Sequence, residues 1–241
     1  MNGAFRYCNT VDFRVIDRKK ESVVATDPLG WFGYLQEEGC LGLRLHYRAA
    51  EERPPAKEHQ LAGFVGGGGV WRIEAVYAGH SDFWASRWQV TRKDDPDNHI
   101  WCVNYGRTEV RMPTLHPKVD LVPVAAELQD ALEAIIRFSR GAGLDFWAEF
   151  FQKAAARLAA DEPAIGFHNE ALVPPGDYDL QAQRVLFAAG SAWAFGGMGS
   201  WNDVYIPNRV ADDEYDKVSK RLYDAFNQAV VAAVNSGSRL D

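Results

Sequence analysis

The chain is predicted to be α+β: an antiparallel β-sheet, built as a meander plus a C-terminal hairpin, packed against a helical hairpin and a long C-terminal helix. Three observations predict this. Between residues 40 and 112 apolar side chains recur at every second position; after Pro123 they recur every three to four; and from Asp212 one apolar stripe runs nearly to the end of the chain. The 241 residues are 47% hydrophobic and 24% charged, an ordinary globular balance, and a single α+β domain over 1–241 is expected.

The sheet begins where Leu41, Leu43, Leu45 and Tyr47 alternate with Gly42, Arg44, His46 and Arg48. Over 70–78, Trp71, Ile73, Ala75 and Tyr77 face one way and Arg72 and Glu74 the other. Further strands are expected at 83–92 and 99–105, separated by the turn chemistry of Asp94-Asp95-Pro96-Asp97. Trp84, Trp88, Trp101 and Tyr105 then fall where cross-strand stacking packs a core; left open, the same face would be an apolar platform rimmed by Arg87, Arg92 and Arg107. The segment 51–59, EERPPAKEH, is charged, aperiodic and holds two prolines, which makes it an exposed loop.

Helical spacing takes over with Leu128, Ala131, Leu132, Ile135 and Phe138, and Gly141 is its stop. Leu144, Trp147, Phe151, Ala154 and Leu158 repeat the pattern after Gly141-Ala142-Gly143, so the two helices form an antiparallel hairpin. Residues 161–179 are irregular and rich in Pro and Gly. Two short strands are predicted at 184–190 and 192–197, turned by Gly190-Ser191, which is the C-terminal hairpin. The last helix is capped by Asp212 and carries Tyr215, Val218, Leu222, Ala225, Phe226, Ala229 and Ala233 on one stripe, expected to pack on the sheet.

Composition removes several functions. The formal net charge is −7 and basic residues are scattered, so no nucleic-acid partner is expected. No apolar run reaches membrane-span length, so no membrane association is expected. Cys8, Cys40 and Cys102 are odd in number and widely spaced, which indicates neither a disulfide framework nor a cysteine zinc site and points to a cytoplasmic protein. The six histidines include no H-E-x-x-H, so no metal and no cofactor are assigned, and neither a nucleophile elbow nor a catalytic-cysteine motif is present.

One stretch invites a functional reading: Gly196-Gly197-Met198-Gly199-Ser200, between Trp193 and Trp201. It is not a phosphate loop, because no lysine follows the last glycine and no helix starts there. Its glycines permit a tight corner that places Ser200, Trp201, Asn202 and Asp203 at the end of a strand, and these four are the candidate ligand-binding residues. His168 and Glu170 join them, being oxygen- and nitrogen-bearing side chains in the preceding irregular segment. The expected function is a binding or protein-interaction module with an aromatic-rich surface or pocket and a protein or small-molecule partner. The alternative is a metal-assisted or acid-base hydrolase around Asp203, Asn202, Glu170 and His168.

Overall fold

The computed structural model describes residues 7–17, 20–50, 57–115, 119–163, 178–206 and 209–237. Its first element was not anticipated, although its signal is visible: Val11, Phe13 and Val15 alternate with Thr10, Asp12 and Arg14, and this run is β1 (Cys8–Asp17). β2 (Lys20–Ala25) folds back antiparallel to it. Asp27-Pro28 then opens α1 (Pro28–Glu37): the Asp27 carboxylate accepts from Gly30 N at 2.9 Å, and proline in the first turn sacrifices no helical hydrogen bond. There follow β3 (Gly42–Arg48), α2 (Glu58–Leu61), β4 (Val70–Tyr77), β5 (His80–Val90) and β6 (Trp101–Met112). The rest is helical: α3 (Leu121–Gly141), α4 (Asp145–Leu158), α5 (Leu180–Ala192) and α6 (Arg209–Ser236). Among the described residues no helix is long and apolar enough to cross a membrane.

Contacts gather into two compact units, one drawn from Met1–Arg48 and Gly69–Pro117, the other from Ala49–Gly68 and Lys118–Gly237. The first is a six-stranded sheet of order β2-β1-β6-β5-β4-β3. From β3 to β6 each strand pairs antiparallel with the next, but β1 lies parallel to β6, so the sheet is mixed and not purely antiparallel as predicted. That pairing joins residues some ninety positions apart, which no local periodicity encodes.

One face of this sheet is apolar, and α1 lies on it. Phe13 stacks on Trp31 at 4.5 Å and on Tyr105 at 5.2 Å, and Trp84, fully buried, meets Trp31 edge-on at 5.4 Å. The predicted aromatic quartet therefore divides: Trp84 belongs to the core, Tyr105 packs against it, and Trp88 stands half-exposed against the edge of Trp101. The opposite face carries His46, Arg72 and Glu74 beside the buried Phe83. Glu74 is fully enclosed there. Burial pushes that carboxyl up, but hydrogen bonds from His46 Nε2 (2.7 Å), Leu115 N–H (2.9 Å) and Ser81 outweigh burial and hold it below its ordinary value.

In the second unit α3, α4, α5 and α6 each pack on the next, and α6 closes back on α3. The predicted stripes hold: Leu128, Ala131, Leu132 and Ile135 of α3, Phe151 and Ala154 of α4, and Val218, Leu222, Ala229 and Ala233 of α6 are buried. The α3–α4 hairpin turns through Gly143, which takes φ +71°. The predicted C-terminal β-hairpin is a correction. Residues 180–192 form α5, capped by Asp179, whose carboxylate accepts from Ala182 N at 2.7 Å; among the described residues no strand follows it. A short apolar run fits a buried strand or a buried helix equally well. Here Ala182, Val185, Ala188, Ala189 and Ala192, buried at spacings of three and four, with alanine's helix preference, decide for the helix.

The predicted loop at 51–59 is also revised. Residues 51–56 lie outside the described residues, whereas α2 begins at Glu58 and His59 is 1% exposed, so the end of that segment is packed.

Candidate functional site

The chain between α5 and α6 makes the corner that the glycines foreshadow. Only one of the three glycines in question, Gly199, takes positive φ, at +83°. It leads into a single 3-10 turn, Trp201–Asp203, for which Ser200 is the cap: Ser200 Oγ accepts from Asn202 N at 3.2 Å and donates to the Gly196 carbonyl at 3.1 Å. Asp203 closes the turn from the other side, its carboxylate accepting the Gly199 N–H. Ser200 and Asp203, proposed from sequence as ligand-facing groups, thus hold the corner's own backbone.

Trp201 is the corner's anchor. It is fully buried, packed edge-on against Trp147 (5.4 Å) and Phe151 (5.3 Å), with Tyr215 at 5.0 Å. Its indole N–H donates to Ser219 Oγ at 2.7 Å, Ser219 Oγ donates in turn to the Tyr215 carbonyl at 2.6 Å, and Tyr215 OH donates to the Trp201 carbonyl. Each polar group of this ring has a partner, and the ring clamps the corner to α6. Burial pushes the Tyr215 phenol well above its ordinary value, so it serves as a neutral donor.

Asn202 reaches elsewhere. Its Nδ2 donates 3.0 Å to the carbonyl of His59, on α2. Gly63 touches the Gly196 backbone directly, and His59 meets the Phe195 ring edge-on at 6.1 Å. The segment around α2 therefore docks on the corner, an arrangement that sequence reasoning missed because 143 residues separate His59 from Asn202. Under this contact His59 Nε2 and Asn202 Oδ1 are buried with no hydrogen-bond partner among the described residues. Asp216 Oδ1 is 3.8 Å from His59 Nε2, and the other carboxylate oxygen of Asp216 is paired with Lys57. Burial, more than any charge, moves the His59 imidazole below its ordinary value and leaves it neutral near pH 7.

His168 and Glu170 lie outside the described residues. Of the hydrolase constellation, Asn202 and Asp203 remain, and both are engaged in shaping the turn. Elsewhere Asp95, Asp97 and His99 each offer a ligand atom within 4.8 Å of the others, but Asp95 Oδ1 already accepts the N–H groups of Asp97 (3.1 Å) and His99 (3.0 Å), the geometry of an Asx turn.

Several large apolar side chains stand exposed around the corner. Met198 is fully exposed at its tip and Tyr205 is 82% exposed just after it, while Trp193 is partly exposed before it. Phe64 and Val65, both more than half exposed, follow Gly63 and so stand beside the same turn. Comparison of the chain with protein-family models, curated proteins and solved structures finds no match.

Proposed function

We propose that this protein is a non-catalytic interaction module whose recognition surface is the rim of the corner, Met198, Tyr205, Trp193, Phe64 and Val65, and that its partner is a basic protein surface. The observation that supports it is the division of labour at the corner: polar side chains turn inward to fix the backbone, and large apolar ones are left outside. Apolar side chains held on a rigid turn are the anchors that protein interfaces use. Charge selects the partner. The helical unit holds 20 Asp and Glu against 12 Lys and Arg, the whole of the chain's acidic surplus. Asp212, Asp213 and Glu214 are exposed soon after the corner, suited to steering a cationic surface.

Selection from a displayed library of random peptides tests this reading. Lys- and Arg-bearing peptides with an apolar anchor should be enriched, and their binding should be lost in Met198→Asp and Tyr205→Asp but kept in Phe146→Asp, whose side chain is exposed on α4 away from the corner in sequence. No enrichment, or binding indifferent to Met198 and Tyr205, overturns it.

A further inference from the structure

A polar knot interrupts the apolar face of the sheet near the β4–β5 hairpin. The β5–β6 register shifts twice between Ser81 and Trp84, with the extra residues on β6, the kind of irregularity that re-aims side chains. Asp82, 3% exposed, sits in this stretch and accepts the Arg111 N–H at 2.8 Å and an N–H of Arg107 at 3.2 Å. Arg111 takes φ +53° to present its N–H, a backbone conformation that is costly for a residue with a side chain. The carboxylate so held fixes Arg107, which is opposite Trp84 in the ladder and neighbours the Tyr34 hydroxyl of α1.

Tyr77 completes the knot. It stands opposite His80, on whose ring it stacks at 5.0 Å, and Cys40, Asp82, Tyr34 and Arg107 all lie near enough to act on its charge. Its side chain is 7% exposed, yet its hydroxyl has no hydrogen-bond partner among the described residues. Burial first, then Cys40, Asp82 and Tyr34, push this phenol well above its ordinary value, so it is a neutral donor. Arg107, Tyr34 and His80 are each only partly buried, which leaves the knot within reach of solvent.

The unspent groups here are donors. Both oxygens of Asp82 are already accepting, Arg107 gives that carboxylate one N–H and retains the others, and the Tyr77 O–H is unspent. Their complement is a group that only accepts, and a carboxylate both meets that condition and matches the guanidinium fork. The rings of Tyr34, Tyr77 and His80 around these donors suit a flat apolar body.

We propose that Arg107, Tyr77, Tyr34 and His80 form a binding site for a small aromatic carboxylate. Arg107 takes the carboxylate through paired N–H groups, the Tyr77 hydroxyl donates to one of its oxygens, and the surrounding rings hold its apolar body. The site belongs to the sheet unit and does not depend on the reading of the corner as a protein-binding surface.

Calorimetric titration of the full chain with sodium benzoate, and with benzyl alcohol as the same ring without the carboxylate, tests the assignment. Benzoate should bind saturably and benzyl alcohol should not. Tyr77→Phe, which removes only the hydroxyl, should weaken benzoate binding several-fold while leaving the denaturation midpoint unchanged or raised, because the donor it deletes has no partner to strand. Arg107→Lys, which keeps the charge and loses the fork, should weaken binding by about tenfold. Met198→Asp should bind benzoate as the parent does. Absence of saturable binding, benzyl alcohol binding as tightly as benzoate, unchanged affinity in either site variant, or a Tyr77→Phe chain of lower stability overturns the assignment.

Discussion

Gly63 and Gly196 meet backbone to backbone: a Cβ added at Gly63 would stand 2.3 Å from the Gly196 carbonyl carbon. No backbone atom can yield that distance cheaply, so Gly63→Ala should destabilise by about 1–3 kcal/mol through overpacking. Gly197 has open space around it and no positive φ, so Gly197→Ala should be tolerated; Gly199, at φ +83°, should not accept alanine. Urea denaturation of the three variants should rank Gly197→Ala closest to the parent.

Asn202 and Asp203 tie the corner together through bonds to the His59 carbonyl and the Gly199 N–H. Each alanine substitution should cost about 1–2 kcal/mol, since it removes a bond and strands a partner. Calorimetry that finds the double variant as stable as the parent would show these bonds to be negligible.

Leu222 is fully buried where α6 meets its helical neighbours. Leu222→Ala should cost about 2–5 kcal/mol. A denaturation midpoint that does not move would contradict this packing.

His59 makes stability depend on pH. Burial holds its folded-state value below the unfolded one, the Asp216 carboxylate pulling weakly the other way and Lys57 adding to the depression. The unfolded chain therefore takes up the proton first, and the stabilisation from a neutral His59 is complete above about pH 6.5 and declines as pH falls through and below that value. Between roughly pH 7.5 and pH 5.5 the parent should lose more stability than His59→Gln. Equal losses in the two chains, measured by urea midpoints, would refute a buried neutral imidazole.

Helical segments were legible wherever an amphipathic stripe was long. Twenty or more residues of α3 and of α6 give the 3.6-residue period several turns in which to declare itself, and the buried positions are those the stripe names. The run at 184–190 failed for the opposite reason: seven residues dominated by alanine and apolar side chains carry no face, and the decisive cap, Asp179, lies outside it. β1 was overlooked although Val11, Phe13 and Val15 alternate plainly, because a charged and polar first strand resembles a tail until β6 is placed beside it.

The candidate site shows the same boundary. That a glycine-rich stretch between two tryptophans is a tight corner follows from sequence, since glycine alone takes positive φ without cost. Which groups the corner spends on itself and which it shows to solvent does not follow. Ser200, Asn202 and Asp203 are polar and Met198 and Tyr205 largely apolar in any context; only the arrival of α2 against Gly196 and of α6 against Trp201 turns the first group inward and leaves the second outside. What the sequence by itself determined is the set of local periods, turns and caps, because these depend on neighbours within about four residues. The parallel partner of β1 and the docking of His59 were decided by tertiary structure alone, because each joins residues some ninety or more positions apart through contacts that have no local signature.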